Sequence, residues 1–282
     1  MLGNSRFCKF FSFSQTGFAD DRVRTQRKKH KDFSRNLPIL VFLGILVMWH
    51  LVSLAKIYDP NTLPPPSRVI KAFSELLANG ILVRYSVASL FRVTIGFYLA
   101  VLLGILIGIL LGTWQKVCLM FYSLIQFLRP ISPLAWIPFA LLWFGIGDSS
   151  AIFLIFLSSF FPMLFSTVVA VKNIPQLYFQ IGANFDFTRL ETFKFIVLPA
   201  ILPDIVTAMR ISLGVAWLVV VAAEMIAVKS GLGYLIIDSR NALRMDYVIV
   251  AMVTIGLIGL VIDKAISQLQ RPGFVRWKFE RK

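Results

Sequence analysis

Between Arg92 and Lys116 lie 23 consecutive residues, 93–115, without a charged side chain, and nearly all of them are apolar. The hydrocarbon core of a bilayer takes about 20 residues of α-helix to cross. Such a run also leaves no polar face for a helix to turn towards water. The pattern recurs. Residues 38–55, 149–171 and 247–262 carry no charge, and 205–228 carry only Arg210 and Glu224. Residues 117–128 and 131–147 form an irregular span around Arg129-Pro130, because Pro130, Pro133 and Pro138 break or kink any helix there. Six membrane spans are predicted.

Composition agrees. Of the residues, 57% are hydrophobic and 15% charged, against roughly 25% charged in a soluble domain. An ordinary soluble protein and a disordered chain are both excluded. The net charge of +15 is concentrated at the ends: 1–36 hold nine Lys/Arg and three acids, and 264–282 hold six and one. Basic ends around an apolar body predict two cytoplasmic termini on an anionic leaflet, and an even span count agrees. The loops dilute this signal. With the N-terminus inside, Lys116, Lys172, Arg189 and Lys194 lie inside, but Arg68, Lys71, Arg84, Arg92, Lys229, Arg240 and Arg244 lie outside. A nucleic-acid binder would carry its charge on a folded polar domain, so no nucleic acid is expected as a partner. The resulting division is a basic cytoplasmic tail 1–36, a transmembrane domain 37–270 and a basic cytoplasmic tail 271–282.

Enzyme chemistry finds no foothold. Cys8 and Cys118 make neither a disulfide framework nor a metal site, and His30 and His50 lack ligand spacing. There is no Gly-x-x-x-x-Gly-Lys phosphate loop and no Gly-x-Ser-x-Gly elbow. The chain is therefore read as a non-enzyme that binds no cofactor. Ionisable residues inside spans are functional candidates by default. Here they are Arg129, Arg210 and Glu224, with Asp148 at a span end. An ion-coupled carrier needs a carboxylate deep in the bilayer. Glu224 lies about four residues from the end of its span and is expected to reach water, so the driving force is assigned to a partner.

Two connections are more than linkers. The proline-rich stretch 59–67 leads to Ser67, which can cap a short surface helix ending at Ala78, with Val69, Ile70, Phe73, Leu76 and Leu77 on one side. The long loop 172–204 predicts two short helices. Pro175 can start the first, reaching about Asn184; Phe185-Asp186 turns the chain; Thr188 and Glu191 form a capping box for the second. The second should run towards Leu198, with Pro199 and Pro203 bracketing the next span. Gly182 and Ala183 would leave a smooth patch for another backbone. An amphipathic hairpin lying on the membrane would show the same periodicity. In the second span, Gly96, Gly104, Gly108 and Gly112 read as close helix packing.

At this point the sequence resembles the permease subunits of ATP-binding-cassette importers, in the branch handling nitrate, sulfonates, taurine and related solutes. The likeness covers about 38–270. It rests on Phe127-Leu128-Arg129-Pro130-Ile131-Ser132-Pro133-Leu134-Ala135-Trp136-Ile137-Pro138, Leu142-Trp143-Phe144-Gly145-Ile146-Gly147-Asp148 and Ser158-Ser159-Phe160-Phe161-Pro162. It continues through Gly214-Val215-Ala216-Trp217, Ala222-Ala223-Glu224-Met225, Gly231-Leu232-Gly233-Tyr234-Leu235-Ile236, Arg240-Asn241 and Asp246. The family's cytoplasmic Glu-Ala-Ala…Gly…Leu-Pro signature maps onto Gln180, Ile181, Gly182, Asp186 and Leu198-Pro199. Four of these depart from it: Gln180 for Glu, Ile181 for the first Ala, Gly182 for the second Ala and Asp186 for the Gly that follows. Asp tolerates the left-handed conformation better than most residues.

The resemblance implies an all-α polytopic membrane protein with the type I, MetI-like permease fold in the inner or plasma membrane. It implies a pathway shared with a second permease copy, an ATPase dimer that hydrolyses ATP in the cytoplasm and an extracytoplasmic substrate-binding protein. The ATPase-coupling role falls on Gln180, Ile181, Gly182, Ala183, Asp186, Leu198, Pro199 and Pro203. Pathway candidates are Ser132, Pro133, Trp136, Ser158, Ser159 and Glu224. Two other readings stand beside it: a secondary carrier, and a decayed permease kept as a membrane scaffold, which the altered Glu-Ala-Ala segment favours.

Overall fold

The computed structural model describes residues 40–55, 59 and 62–268 of the chain. The basic tails 1–36 and 271–282 lie outside the described residues. A first unit, up to Pro66, contains the apolar helix α1, Leu40–Leu54. The rest forms a second unit and carries the site. Its helices are α2 (Pro66–Ala78), α3 (Ile81–Thr113), α4 (Gln115–Leu128), α5 (Ile137–Phe144), α6 (Asp148–Lys172), α7 (Gln176–Asn184), α8 (Arg189–Thr192), α9 (Leu198–Ala227), α10 (Leu232–Asn241) and α11 (Met245–Gln268).

Four helical stretches are long and apolar enough to cross a membrane: α3, α6, the continuous run Arg189–Ala227 and α11. A fifth arises if Lys116–Leu128 and Pro133–Phe144 count as one span bent by 88°. The bend falls at Arg129-Pro130, where the proline-broken span was expected. The remaining expected span, 38–55, starts outside the described residues, which contain Leu40–Leu54 of it. Exposed apolar side chains agree with this assignment: Leu99, Leu102, Leu106 and Leu110 of α3 are all exposed.

The frame of the second unit is α3 against α6 and α6 against α9, with α10 and α11 packed on α9. The glycines of α3 explain its closest contact. A Cβ built on Gly96, Gly104, Gly108 or Gly112 would lie 2.6–2.8 Å from side-chain atoms of Ile155, Met163, Thr167 and Val171 respectively. Each glycine thus faces the residue 59 positions further on. A constant offset means that α3 and α6 run parallel and stay in register over four contacts. The packing role expected from the glycine spacing holds.

Three expectations change. First, α3 begins at Ile81 rather than at 93, so Arg84 and Arg92 lie within the helix and not in a loop. A charge normally ends an apolar run, but Arg92 finds carboxylates, as described below. Second, the buried side of α2 is Ala72 and Leu76 with Val69 packed behind them, while Ile70, Phe73 and Leu77 remain exposed. Third, the chain does not break before the fifth span. α8 passes through a π-helical turn, Phe193–Val197, straight into α9. Wider i→i+5 turns leave room for a local irregularity without ending the helix, and the π turn lies immediately before Pro199, which lacks the N–H that a continuous α-helix would use.

Candidate functional site

The loop after α6 folds as its sequence predicts. Pro175 is the N-cap of α7, and Phe185 closes it at the other end. Asp186 has φ +53°, in the left-handed region, at the position where the resembled signature has glycine. The Thr188 hydroxyl accepts from the Glu191 N–H, and the Glu191 carboxylate accepts from the Thr188 N–H at 2.8 Å, completing the capping box. Thr188→Ala should therefore speed amide exchange in the first turn of α8, with no change in α7. Hydrogen–deuterium exchange resolved to single peptides checks this.

Gly182 corrects the expectation of a smooth outward patch. It is buried, and a Cβ there would lie 2.6 Å from the Ile196 side chain. The glycine serves the internal contact between α7 and the π turn. The exposed surface of the loop is instead Gln180, Ile181, Ala183, Phe185 and Leu190, with Phe185 against Phe187 and Phe187 against Phe195. Leu198 and Pro199 lie at the start of α9, and Pro203 is buried inside that helix.

The pathway candidates divide. Ser132 caps the 3-10 turn Pro133–Trp136 by accepting from the Leu134 N–H at 3.3 Å. Trp136 packs on the cluster that includes Ala140, Leu154 and Ala223. Pro133 and Ser158 line one cavity of about 370 Å³, together with Arg129, Phe161, Phe165 and Ser166. Ser159 is fully buried, and its hydroxyl donates to the Ser212 carbonyl at 3.4 Å.

Glu224 is the largest departure. Expected to reach water, it is 0% exposed. Its Oε1 lies 2.5 Å from Nη1 of Arg92, itself 2% exposed. The same guanidinium donates through Nε to Asp148 Oδ1 at 2.9 Å and through Nη1 to the Ser230 carbonyl at 2.9 Å. The other carboxylate oxygen of Glu224 accepts from Ser89 Oγ at 2.8 Å and from the Gly233 N–H at 3.0 Å. Ser89 in turn accepts from the Leu232 N–H. One ion cluster thereby joins α3, the start of α6, the end of α9 and the loop into α10. Gly231, at φ +106°, and Gly233 are needed here, because a Cβ on the first would land on the Glu224 carboxylate and on the second on the Val221 carbonyl. The glycine pair flanking Leu232 was the signal available in the sequence.

Further ion pairs lie outside this cluster. Arg210 donates to both oxygens of Asp263 on α11, at 2.9 and 3.0 Å. Arg244 reaches Asp246 at 3.0 Å and Glu75 of α2 at 3.4 Å. The hydrogen bond to Asp246 raises the Arg244 pKa, so that guanidinium stays charged.

An all-helical unit with several apolar spans, a bent span, a capped helical hairpin and parallel glycine-packed helices is the architecture of a multi-pass membrane protein. Residues 100–271 match the family described as binding-protein-dependent transport system inner membrane component, and the chain belongs to that family of ABC importer permeases. It is 40% identical over 248 residues to a putative ABC transporter permease protein of Methanocaldococcus jannaschii, covering 86% of this chain and 91% of that one. It is 33% identical to the taurine transport system permease protein of Escherichia coli, covering 89% and 94%. Similar proteins named for aliphatic sulfonates, bicarbonate and nitrate lie at 32–35% identity. Among solved structures, a chain of the inward-facing MetNI methionine ABC transporter superposes with a TM-score of 0.53 at 19% identity, over 66% of this chain and 96% of that one. The fold is MetI-like, and the protein is a multi-pass membrane protein.

Proposed function

We propose that the chain forms half of the translocation pathway of an ATP-driven importer for a small anionic solute of the nitrate, sulfonate, taurine or bicarbonate type. In this reading a second copy completes the pathway and an extracytoplasmic binding protein delivers the solute. A separate cytoplasmic ATPase dimer supplies the energy, and this chain holds no ATP or other cofactor. Both termini lie in the cytoplasm, which puts α7 on the ATPase side and the Arg92–Glu224 cluster near the outer face.

The observation that carries the reading is the α7–turn–α8 hairpin. Its left-handed turn is made by Asp186 where the family signature has glycine, so the altered residues still build a tight turn that exposes Phe185. A short helix of this kind docks in a groove of a partner through side chains one turn apart. Gln180 keeps hydrogen-bonding capacity at the position of the signature glutamate.

The test is copurification. The tagged full chain, extracted gently from cells expressing its native ATPase, should carry that ATPase with it. Scrambling 180–187 should cut recovery about tenfold or more, the scale of losing interface hot spots. Gln180→Glu with Asp186→Gly should raise it. A folded chain that recovers no ATPase would instead support a repurposed permease acting as a scaffold, the reading that the departures at Gln180, Ile181 and Asp186 favour.

A further inference from the structure

We propose that Arg129 is the contact for the anionic group of the passing solute, a small monoanion bearing a nitrate-like or sulfonate-like head. The inference rests on the pathway reading above and assigns its substrate class to one cavity and one side chain.

Arg129 caps the end of α4, at the 88° bend. Its guanidinium lies 4.2 Å from the centre of the Phe165 ring on α6. It lines the cavity of about 370 Å³ whose other walls are Ile131 and Pro133, Ser158 to Ser166 along α6, and Ile211 and Val215 of α9. That volume falls within the range of small-molecule sites. No carboxylate lines it. The remaining polar groups are the hydroxyls of Ser158 and Ser166, and Ser158 donates its proton to the Ile155 carbonyl at 2.7 Å.

Arg92 is closed on Glu224 and Asp148, and Arg210 is closed on Asp263. Arg84 on α3 also has an aromatic ring, that of Tyr85, beside it, but among these arginines only Arg129 lines this cavity. Among the described residues, Arg129 has no carboxylate within ion-pair distance and only an aromatic face beside it. An aromatic ring stabilises a cation without neutralising it or occupying its donors. The planar five-donor fork therefore remains available, and it matches the paired oxygens of a nitrate or sulfonate. Arg129 is exposed at the edge of the cavity, and a charge-assisted contact there strengthens once the arriving anion is enclosed by the apolar wall. The polar character continues behind the wall, where the buried Ser212 hydroxyl on α9 has no partner among the described residues.

Saturation-transfer NMR on the full chain in nanodiscs of zwitterionic lipid tests the assignment. The probes are methanesulfonate and its neutral analogue dimethyl sulfone, each read at its methyl signal. The wild type should give a saturable signal with methanesulfonate and little with the sulfone. Arg129→Gln should weaken the methanesulfonate response about tenfold or more, the scale of a lost charge-assisted bidentate contact. Arg129→Lys should fall between. Equal responses in the wild type and Arg129→Gln, or an equal response to the sulfone, would overturn the proposal. So would loss of the signal when phosphatidylglycerol is added, which would assign the site to a lipid headgroup. ATPase recovery measured on Arg129→Gln keeps the two readings apart. Unchanged recovery with no Arg129-dependent signal sinks only this inference. An intact anion signal in a chain that never recovers ATPase sinks the coupling reading instead.

Discussion

Arg92→Ala should cost roughly 5 kcal/mol of stability and Glu224→Ala roughly 3, the range for removing one partner of a buried ion pair. The order follows from what each leaves behind. Without Arg92, the Glu224 carboxylate is buried at 0% exposure with only Ser89 and the Gly233 N–H as donors. Without Glu224, the arginine keeps Asp148 at 2.8 Å, and Asp148 is more than half exposed to solvent. Combining the two alanine changes should cost less than the two single changes added together, because no uncompensated buried charge remains. Chemical unfolding in detergent would measure all three variants. Simple additivity would show that the pair is not coupled and would remove the cluster's role as the tie between α3 and α9.

Gly108→Val should be nearly as damaging. The new Cβ would lie 2.6 Å from the Thr167 Cβ and 3.1 Å from the Leu164 carbonyl. Thr167 is fully buried, its hydroxyl already bonded to the Met163 carbonyl, so it has nowhere to retreat. Overpacking of this kind typically costs about 1–3 kcal/mol, and the fixed register with Gly104 and Gly112 places the cost at the upper end. Gly256→Ala on α11 is the control. Nothing lies within 4 Å of its added methyl, so that variant should match or slightly exceed the wild type, since alanine favours helix. A Gly108→Val protein that melts with the wild type would mean that α3 and α6 can slide apart freely.

Local chemistry was readable along the chain wherever the partners are neighbours in sequence. Pro175, Asp186, Thr188 and Glu191 act within a few residues of one another, and the hairpin they specify is the one observed. The glycine stripe of α3 also announced itself, through its spacing alone. What escaped was set by distance. Arg92 and Glu224 are 132 residues apart. From sequence, each looks like a charge seeking the edge of the membrane. Only when α3 and α9 come together do they become an interior pair, and the start of α3 then moves back to Ile81. Gly182 misled for a related reason: a small residue offers close approach to a neighbour on either side, and Ile196, which takes the contact, is fourteen positions on. The cavity under Arg129 required the bend itself, whose prolines are visible in sequence but whose angle is not.

The uninterrupted helix from Arg189 to Ala227 has a mechanical consequence. Its 39 residues correspond to a rod of about 58 Å at 1.5 Å per residue. One end is rooted beside the α7 hairpin through the π turn, and the other carries Glu224 three residues from its tip. No loop lies between them, and the π turn and Pro203, where the helix can bend, both lie towards the hairpin end. A tilt of about 10° about one end would swing the other by about 10 Å, on the same helix geometry. The ionic cluster is fastened at the far end, so a tilt driven at the hairpin would be felt there, against Arg92.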